Sequence, residues 1–302
     1  MTAPPLRISI VIVCLNGAKR LAWPLESLRR CDPPPHEIIV ADNGSTDGTA
    51  NFVRENYPEV QVVRADRNLG FAGGNNLGIE AATGDVILLL NDDTEPEPDW
   101  LAPLAEAFDA HPRLGIAGCR LLYPDRTTVQ HLGGVVHDNG LTDHVAWGDE
   151  ARAQEAGGIV PVPYATGAAL AIRRAVIEEV GLLDAGFWPI YFEEIDYCDR
   201  ARRAGWEIAV VPRSTVIHHE SQSTGRLSPG FLAKYHRNRM RYLLKNRDRR
   251  GLLRAARGEA RWWLRHRPWD NLWPCLKAYG YTAVHCPGIW RDRRRDWSGQ
   301  KG

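Results

Sequence analysis

The strongest constraint on the fold of this chain is an alternation in its first 120 residues. Residues 8–15 form a continuous apolar, largely β-branched run, and 37–41, 60–64 and 85–90 read as three more strands. Between them, residues 18–30, 46–56 and 74–82 carry helical patterns. Leu21, Leu25 and Leu28 mark one face of the first, and Asp47 stands in the opening turn of the second. Strands without polar alternation, joined by helices, predict a mostly parallel sheet covered on both faces, an α/β fold of Rossmann-like type. Such sheets bind ligands beyond the carboxyl ends of their strands. The polar loops 42–48, 67–76 and 91–99 all begin at those ends, so they are expected to meet along one edge.

After a helix expected at 101–111 the pattern becomes mixed strands and loops to about residue 162. A small-residue strand at 165–172, a helix at 174–180, a helix at 193–204 closed by Gly205 and a strand at 206–211 follow. From residue 229 the chain is basic, helical in pattern and rich in Arg and Trp. The formal net charge of +1 conceals this division: residues 1–233 carry 19 Lys and Arg against 32 Asp and Glu, residues 234–302 carry 19 against 5. An acidic body with a basic tail points to an anionic partner or surface for the tail. The six cysteines form no CxxC pair, which predicts reduced thiols in a cytoplasmic protein. The first residues lack the basic start of a signal peptide. The longest strongly apolar run, 86–90, is far below the roughly 20 residues that span a bilayer.

Three constellations can carry chemistry. Asn91-Asp92-Asp93 follows the run VILLL, so its carboxylates emerge at a strand end. Alternate residues of an extended segment point the same way: Asn91 and Asp93 can face one ligand while Asp92 faces another. Oxygen ligands beside a diphosphate suit Mg²⁺ or Mn²⁺; the competing reading is a capped turn leading into the next helix. Glu193 and Glu194 open the helix at 193, where the dipole favours ionised carboxylates and a general base can stand. Simple capping with an Asp196–Arg200 pair competes, and it explains Asp196 better than it explains two aromatic residues before two consecutive acids. Ile195 and Cys198 are expected to face the core. His218 and His219 end a strand pattern, where one imidazole can complete a metal site with Asp93 or both can simply pack. Residues 234–267 hold 13 Lys and Arg against Asp248 and Glu259, interleaved with Tyr235, Tyr242, Trp262 and Trp263. That composition fits an interfacial membrane contact or a solvated helix; no nucleic-acid-binding signature accompanies it.

Taken in order, the segments SIVIVCLNG, IIVADNGSTDGT, RNLGFAGGNN, LLLNDDT, TGAALAIRR, YFEEIDYCDRARRAGW and VIHHESQSTG resemble the inverting family 2 glycosyltransferases of the GT-A fold, from about residue 8 to 224. NLGFAGGNN with FEEIDYCDR is most similar to the bacterial rhamnosyltransferase-like branch that builds surface polysaccharide. The resemblance implies a glycosyltransferase domain over 1–228, with a nucleotide-sugar half (1–120) and an acceptor and catalytic half (121–228), followed by the helical tail 229–302. It implies nucleotide contacts from Leu15, Asn16, Asp42, Asn43 and Ser45, and a loop over nucleotide and sugar carrying Asn68, Gly70, Asn75 and Asn76. Asn91-Asp92-Asp93 stands at the family's DxD, with Asp93 the metal-binding acid and Asn91 a departure that weakens attraction for a cation. Glu194 corresponds to the base, with Glu193 its alternative, and His218, or else His219, to a histidine near metal and diphosphate. The implied donor is dTDP-rhamnose, with UDP- or GDP-sugars open. The implied acceptor is a saccharide, free or linked to polyprenyl diphosphate, met at the inner membrane face. A nucleotidyltransferase is the first rival, but VCLNGAKR has one glycine where a phosphate loop is expected to have several. A non-catalytic sugar-binding protein is the second; Asp93 and Glu194 argue against it and Asn91 in its favour.

Overall fold

The computed structural model describes residues 5–150, 158–219, 229–266 and 269–298. The four apolar runs form parallel strands β1 (Ile8–Cys14), β2 (Glu37–Asp42), β3 (Gln61–Arg64) and β4 (Val86–Asn91). Their side chains divide by parity between two cores. Ile10, Ile12, Val40, Leu88 and Leu90 enter one, whereas Val11, Ile39, Ile87 and Leu89 enter the other. A strand buried on both faces in this way has no solvent side to keep polar.

The connecting helices are α1 (Ala22–Leu28), α2 (Thr49–Asn56) and α3 (Gly70–Ala81). The helix expected at 18–30 begins late because Gly17 O closes a turn with the amides of Arg20 and Leu21. The helix expected at 74–82 begins four residues early, at Gly70, although glycines ordinarily oppose a helix. Its glycines instead permit close approach to β1: a Cβ on Gly78 would collide with Val11, and one on Gly74 would lie 2.5 Å from Val13 Cγ2.

Past β5 (Thr94–Pro96) and α4 (Leu101–Ala110), the region read as mixed strands and loops contains the nine-residue β6 (Leu114–Leu122) and three short strands, β7 (Val129–His131), β8 (Gly134–Val136) and β9 (Thr142–His144). Strand β10 (Val160–Pro161), β11 (Ala169–Arg173), α5 (Arg174–Val180), α6 (Glu193–Arg203) and β12 (Glu207–His218) follow. The main sheet runs β10-β12-β6-β11-β4-β1-β2-β3, with β5 on β12 and β7 on β6. Strand β11 is antiparallel to both its neighbours, so the parallel pairing of the first half stops there. The strand expected at 206–211 continues to His218 through an irregularity between Val211 and Thr215, which brings the histidine beside Asn91 at the end of β4.

Helices α7 (Pro229–Asn246), α8 (Arg249–His266) and α9 (Trp269–Ser298) complete the described chain. Tyr242 and Leu243 of α7 and Ala255 of α8 belong to the second core, so these helices share packing with the sheet. No described helix is long and apolar enough to cross a membrane. All six cysteines are free thiols, as their spacing predicts.

Candidate active site

Asn91 and Asp93 both face His218, and Asp92 points the other way. The Asp92 carboxylate takes a 2.8 Å hydrogen bond from Arg20, so its charge is engaged away from the site edge. His218 Nδ1 lies 2.6 Å from Gln130 Oε1. A carbonyl oxygen accepts, so Nδ1 carries the proton and the Nε2 lone pair faces outward. It lies 3.5 Å from Asn91 Nδ2 and 3.2 Å from Asp93 Oδ1. Asp93 Oδ1 is buried, with His218 Nε2 as its polar neighbour, and against burial, which raises it, the imidazole holds the carboxyl below its ordinary range. With Nε2 protonated the two form an ion pair; with Nε2 unprotonated they are placed to flank a cation. Two ligands at right angles, each about 2.1 Å from a Mg²⁺-sized ion, stand about 3 Å apart, so the pair fits such an ion. Among the described residues no cluster of three or more His, Cys, Asp or Glu offers a complete metal cage. The remaining coordination positions would belong to a diphosphate and water. His219 is directed elsewhere: its ring stacks on Trp23 at 4.3 Å, and Nε2 lies 3.4 Å from Glu95.

The first two strand ends are tied together by their own polar groups. Asn16 adopts φ 50°, donates its N–H to Ser45 Oγ at 2.9 Å and accepts Thr46 N–H at 2.8 Å. Asp42 Oδ1 accepts the Ser45 N–H at 2.8 Å, while Arg64 Nε lies 3.3 Å from Asp42 Oδ2. Asp42, Ser45, Thr46, Thr49, Asn51 and Arg64 line a cavity of about 230 Å³, and Leu15 stands exposed nearby on the chain. Arg64 escapes sequence reading because it ends a strand with no motif around it. Asn43 accepts the Leu69 N–H and donates to Gly70 O and Asn68 Oδ1, and Asn68 accepts the Gly70 N–H. Asn75 donates to Phe71 O and keeps a buried, unpartnered Oδ1. Asn76 is spanned by the Leu183 backbone at 2.9 and 3.1 Å, so its amide fastens α3 to the segment before α6.

At the start of α6, Tyr191 and Phe192 both take the left-handed conformation, with φ 86° and 76°. Bulky residues there are strained and persist only when their surroundings fix them. Asn238 of α7 does so, donating its amide to the carbonyls of Phe187, Ile190 and Tyr191. Glu193 and Glu194 take the first two helical positions, after the N-cap Phe192, whose side chain makes no cap bond. Glu193 is 1% exposed; burial and the neighbouring Glu194 push its carboxyl well above the usual range. Glu194 is only partly covered, and desolvation pushes it up to about 7, a value matched to a proton acceptor near neutrality. Gly167 connects it to the strand end that bears Asn91: a Cβ there would be 4.0 Å from Glu194 Cβ, and the next residue, Ala168, accepts the Asn91 N–H at 3.0 Å. Asp196 and Arg200 pair at 3.0 Å, and Ile195 and Cys198 enter the core, as the sequence predicts. Gln130 and Asn238, which orient His218 and the α6 entry, carry no sequence signal because each acts through a single amide.

Comparison with known proteins adds an independent line. The family model for glycosyl transferase family 2 matches residues 9–181. The chain is 28% identical over 252 residues to the N-acetylglucosaminyl-diphospho-decaprenol L-rhamnosyltransferase of Mycobacterium tuberculosis, covering 76% of this chain and 82% of that one. It is also 28% identical over 232 residues to an O-antigen biosynthesis protein of Myxococcus xanthus, covering 72% of this chain and 18% of that protein. Among solved structures, GalNAc-T7 with UDP, GalNAc and Mn²⁺ superposes with TM-score 0.64 at 20% identity, over 81% of this chain. The chain spans about half of that protein, 48%. The mannosyltransferase of Pyrobaculum calidifontis, in complex with GDP-Man and Mn²⁺, gives TM-score 0.58 at 17% identity over 94% of this chain and 76% of that one. These structural likenesses show a common GT-A fold.

Proposed function

The chain belongs to glycosyl transferase family 2, and from that premise we propose that it transfers a sugar from a nucleotide donor, with inversion, to a saccharide or a polyprenyl-diphosphate-linked saccharide of a bacterial surface polysaccharide. The observation that carries this reading is a base-competent Glu194 joined through Gly167 and Ala168 to the strand end that bears Asn91 and Asp93. Rhamnose as the transferred sugar and a polyprenyl-linked acceptor are supported by the mycobacterial relative's name; dTDP-rhamnose is the donor proposed with them, and UDP- and GDP-sugars are the alternatives.

In this reading Asp42 and Arg64 hold the nucleoside, with Asn16 and Ser45 fixing the loop between them. Asp93 and His218 would hold Mg²⁺ or Mn²⁺, which supplies positive charge against the diphosphate. Glu194 takes the proton of the acceptor hydroxyl as its oxygen bonds to the anomeric carbon. The bond from that carbon to the diphosphate breaks on the opposite face, and the electron pair leaves with the nucleoside diphosphate. One displacement inverts the configuration, and no glycosyl-enzyme forms. Glu193, enclosed and protonated, keeps a second negative charge away from the base.

Residues 1–228 supply all of these groups, and the helices of 229–302 cover the acceptor side. The exposed Leu264 among the arginines of α8, with the exposed Trp273 and Val284 of α9, supports contact with an anionic membrane surface. In a screen of nucleotide sugars, wild type is expected to release nucleotide and form product with one donor. Glu194→Gln should bind that donor normally and transfer at least a hundredfold more slowly. Near-normal turnover by Glu194→Gln sinks the assignment.

A further inference from the structure

A second, larger cavity of about 750 Å³ lies between the β8–β9 hairpin and helices α7 and α8. Its walls are aromatic: Phe231, Tyr235 and Trp262, with Phe231 and Tyr235 stacked 6.1 Å apart and nearly parallel. Asp138 and Asp143 of the hairpin and Arg261 and Arg265 of α8 also line it, and all four are exposed. Aromatic faces with carboxylates at their edge offer a sugar ring both stacking and hydroxyl contacts.

The cavity adjoins the base. Tyr235 packs 5.1 Å from Phe192, the residue before Glu193 and Glu194, and its hydroxyl takes the Thr142 N–H at 3.1 Å. The buried Tyr164 hydroxyl, which meets Thr142 of the cavity lining, is pushed up by desolvation and by the charge of Glu194. A Cβ on Gly134 would collide with the Tyr164 ring, and this glycine of β8 therefore makes room for it.

The basic side chains of α7 and α8 divide by burial. On α7, Arg239 pairs with Glu259, Arg241 with Asp184, and Lys245 with Asp184 and Asp196. Among the described residues, Arg254, Arg257, Arg261 and Arg265 of α8 pair with no acid; of these four, Arg261 and Arg265, one turn apart, line the cavity. Two adjacent free guanidiniums beside a sugar-sized aromatic chamber suit an anion attached to the sugar.

We propose that this cavity is the acceptor site and that its ligand is a glycosyl diphosphate. The sugar ring lies on Phe231, Tyr235 and Trp262 with its reacting hydroxyl toward Glu194, and the diphosphate lies on Arg261 and Arg265. The assignment rests on the glycosyltransferase reading above; it adds the place where the acceptor binds and the residues that choose its diphosphate-linked form over a free saccharide.

The test is calorimetric titration, without donor and with EDTA, of farnesyl-diphosphate-linked N-acetylglucosamine and of methyl N-acetylglucosaminide. Wild type is expected to bind the diphosphate probe more tightly than the methyl glycoside. Arg261→Glu/Arg265→Glu should weaken the diphosphate probe at least tenfold, leave the methyl glycoside unchanged and leave UDP binding with Mn²⁺ unchanged. Phe231→Ala should weaken both sugar probes. Wild-type affinity for the diphosphate probe in the double variant overturns the proposal, as does failure of wild type to bind it. A chain that releases nucleotide from a sugar donor yet ignores the diphosphate probe sinks this inference alone. Release from no donor sinks the reading beneath it.

Discussion

Replacing Lys245 with Met should destabilise the protein by about 3–5 kcal/mol, the cost of removing one partner from a buried ionic group. Lys245 is 1% exposed, and its ammonium lies 2.8 Å from Asp184, 2.9 Å from Asp196 and 2.8 Å from Asp296. The three acids come from the loop before α6, from α6 itself and from the end of α9. Met fills similar volume, so the loss is one of charge more than of packing. After the change Asp196 keeps Arg200 at 3.0 Å and Asp184 keeps Arg241 at 2.9 Å, whereas the nearest remaining contact of Asp296 to a buried cation is Arg200 at 4.0 Å. Asp296 therefore bears most of the loss, and adding Asp296→Asn should recover part of it. At about 2 °C per kcal/mol for a chain of this size, the single variant should melt roughly 6–10 °C lower. Because α6 begins with Glu193 and Glu194, turnover should fall as well.

The pH dependence gives a second readout of the same variant. Burial alone would raise Asp184 and Asp196, but Lys245 overrides it and holds both below their ordinary range. Their stabilisation is present above the ordinary carboxylate range and lost as pH falls through the depressed values. Lys245 is itself raised, so its share persists at neutral pH and is lost only in strong alkali. In urea titrations followed by tryptophan fluorescence, wild type should lose stability steeply toward acid and Lys245→Met less steeply. A change below about 1 kcal/mol at pH 7, with unchanged acid slope, would refute the view that this cluster anchors α6.

Three further outcomes follow from the site and surface. The transfer rate should rise with pH through about 7, since Glu194 must be ionised to accept a proton; an acid limb near 4–5 would remove Glu194 from the role. Gly134→Ala should cost about 1–3 kcal/mol by overpacking against Tyr164 and should lower turnover, both readable from urea titration and initial rates; an unchanged midpoint would contradict the close approach. Leu264→Ser/Trp273→Ser, on exposed positions, should reduce co-sedimentation with vesicles containing anionic lipid several-fold while leaving the melting temperature unchanged. Equal sedimentation of the two proteins would exclude membrane contact by these residues.

The first half of the fold was legible because one physical signal dominates it. A strand buried on both faces must be apolar throughout, and Ile8–Cys14 and Val86–Asn91 have no alternative use for such sequences. The opposite directions of Asp92 and Asp93 were readable, but an extended segment is not their cause: both lie in the turn between β4 and β5, and that turn sends Asp92 to Arg20. Helix α3 was legible in position but not in extent. Its glycines lower local propensity, and the compensation comes from Val11 and Val13, more than 50 residues earlier in the chain. The choice between His218 and His219 was not legible either. It depends on Gln130 accepting from one ring and Trp23 stacking on the other, contacts that sequence spacing does not encode.

The basic C-terminal region shows why charge counts mislead when burial is unknown. Its excess of Lys and Arg reads as a surface for polyanions, yet Arg239, Arg241 and Lys245 are directed inward onto Glu259, Asp184, Asp196, Asp292 and Asp296. What remains exposed is concentrated on α8, where Arg254, Arg257, Arg261 and Arg265 share the helix with Leu253 and Leu264. The same helix thus borders the proposed acceptor cavity and presents the apolar side chains suited to an interface. This geometry also changes which experiment is informative. Deleting the chain after residue 246 would remove Glu259 and Asp296 and strand two buried cations, Arg239 and Lys245, so any loss of binding would report a damaged core. Substitutions confined to exposed residues of α8 and α9 leave that ionic cluster intact. They separate membrane contact from folding, and titration of the Arg261/Arg265 variant with the diphosphate probe in the absence of vesicles separates acceptor recognition from both.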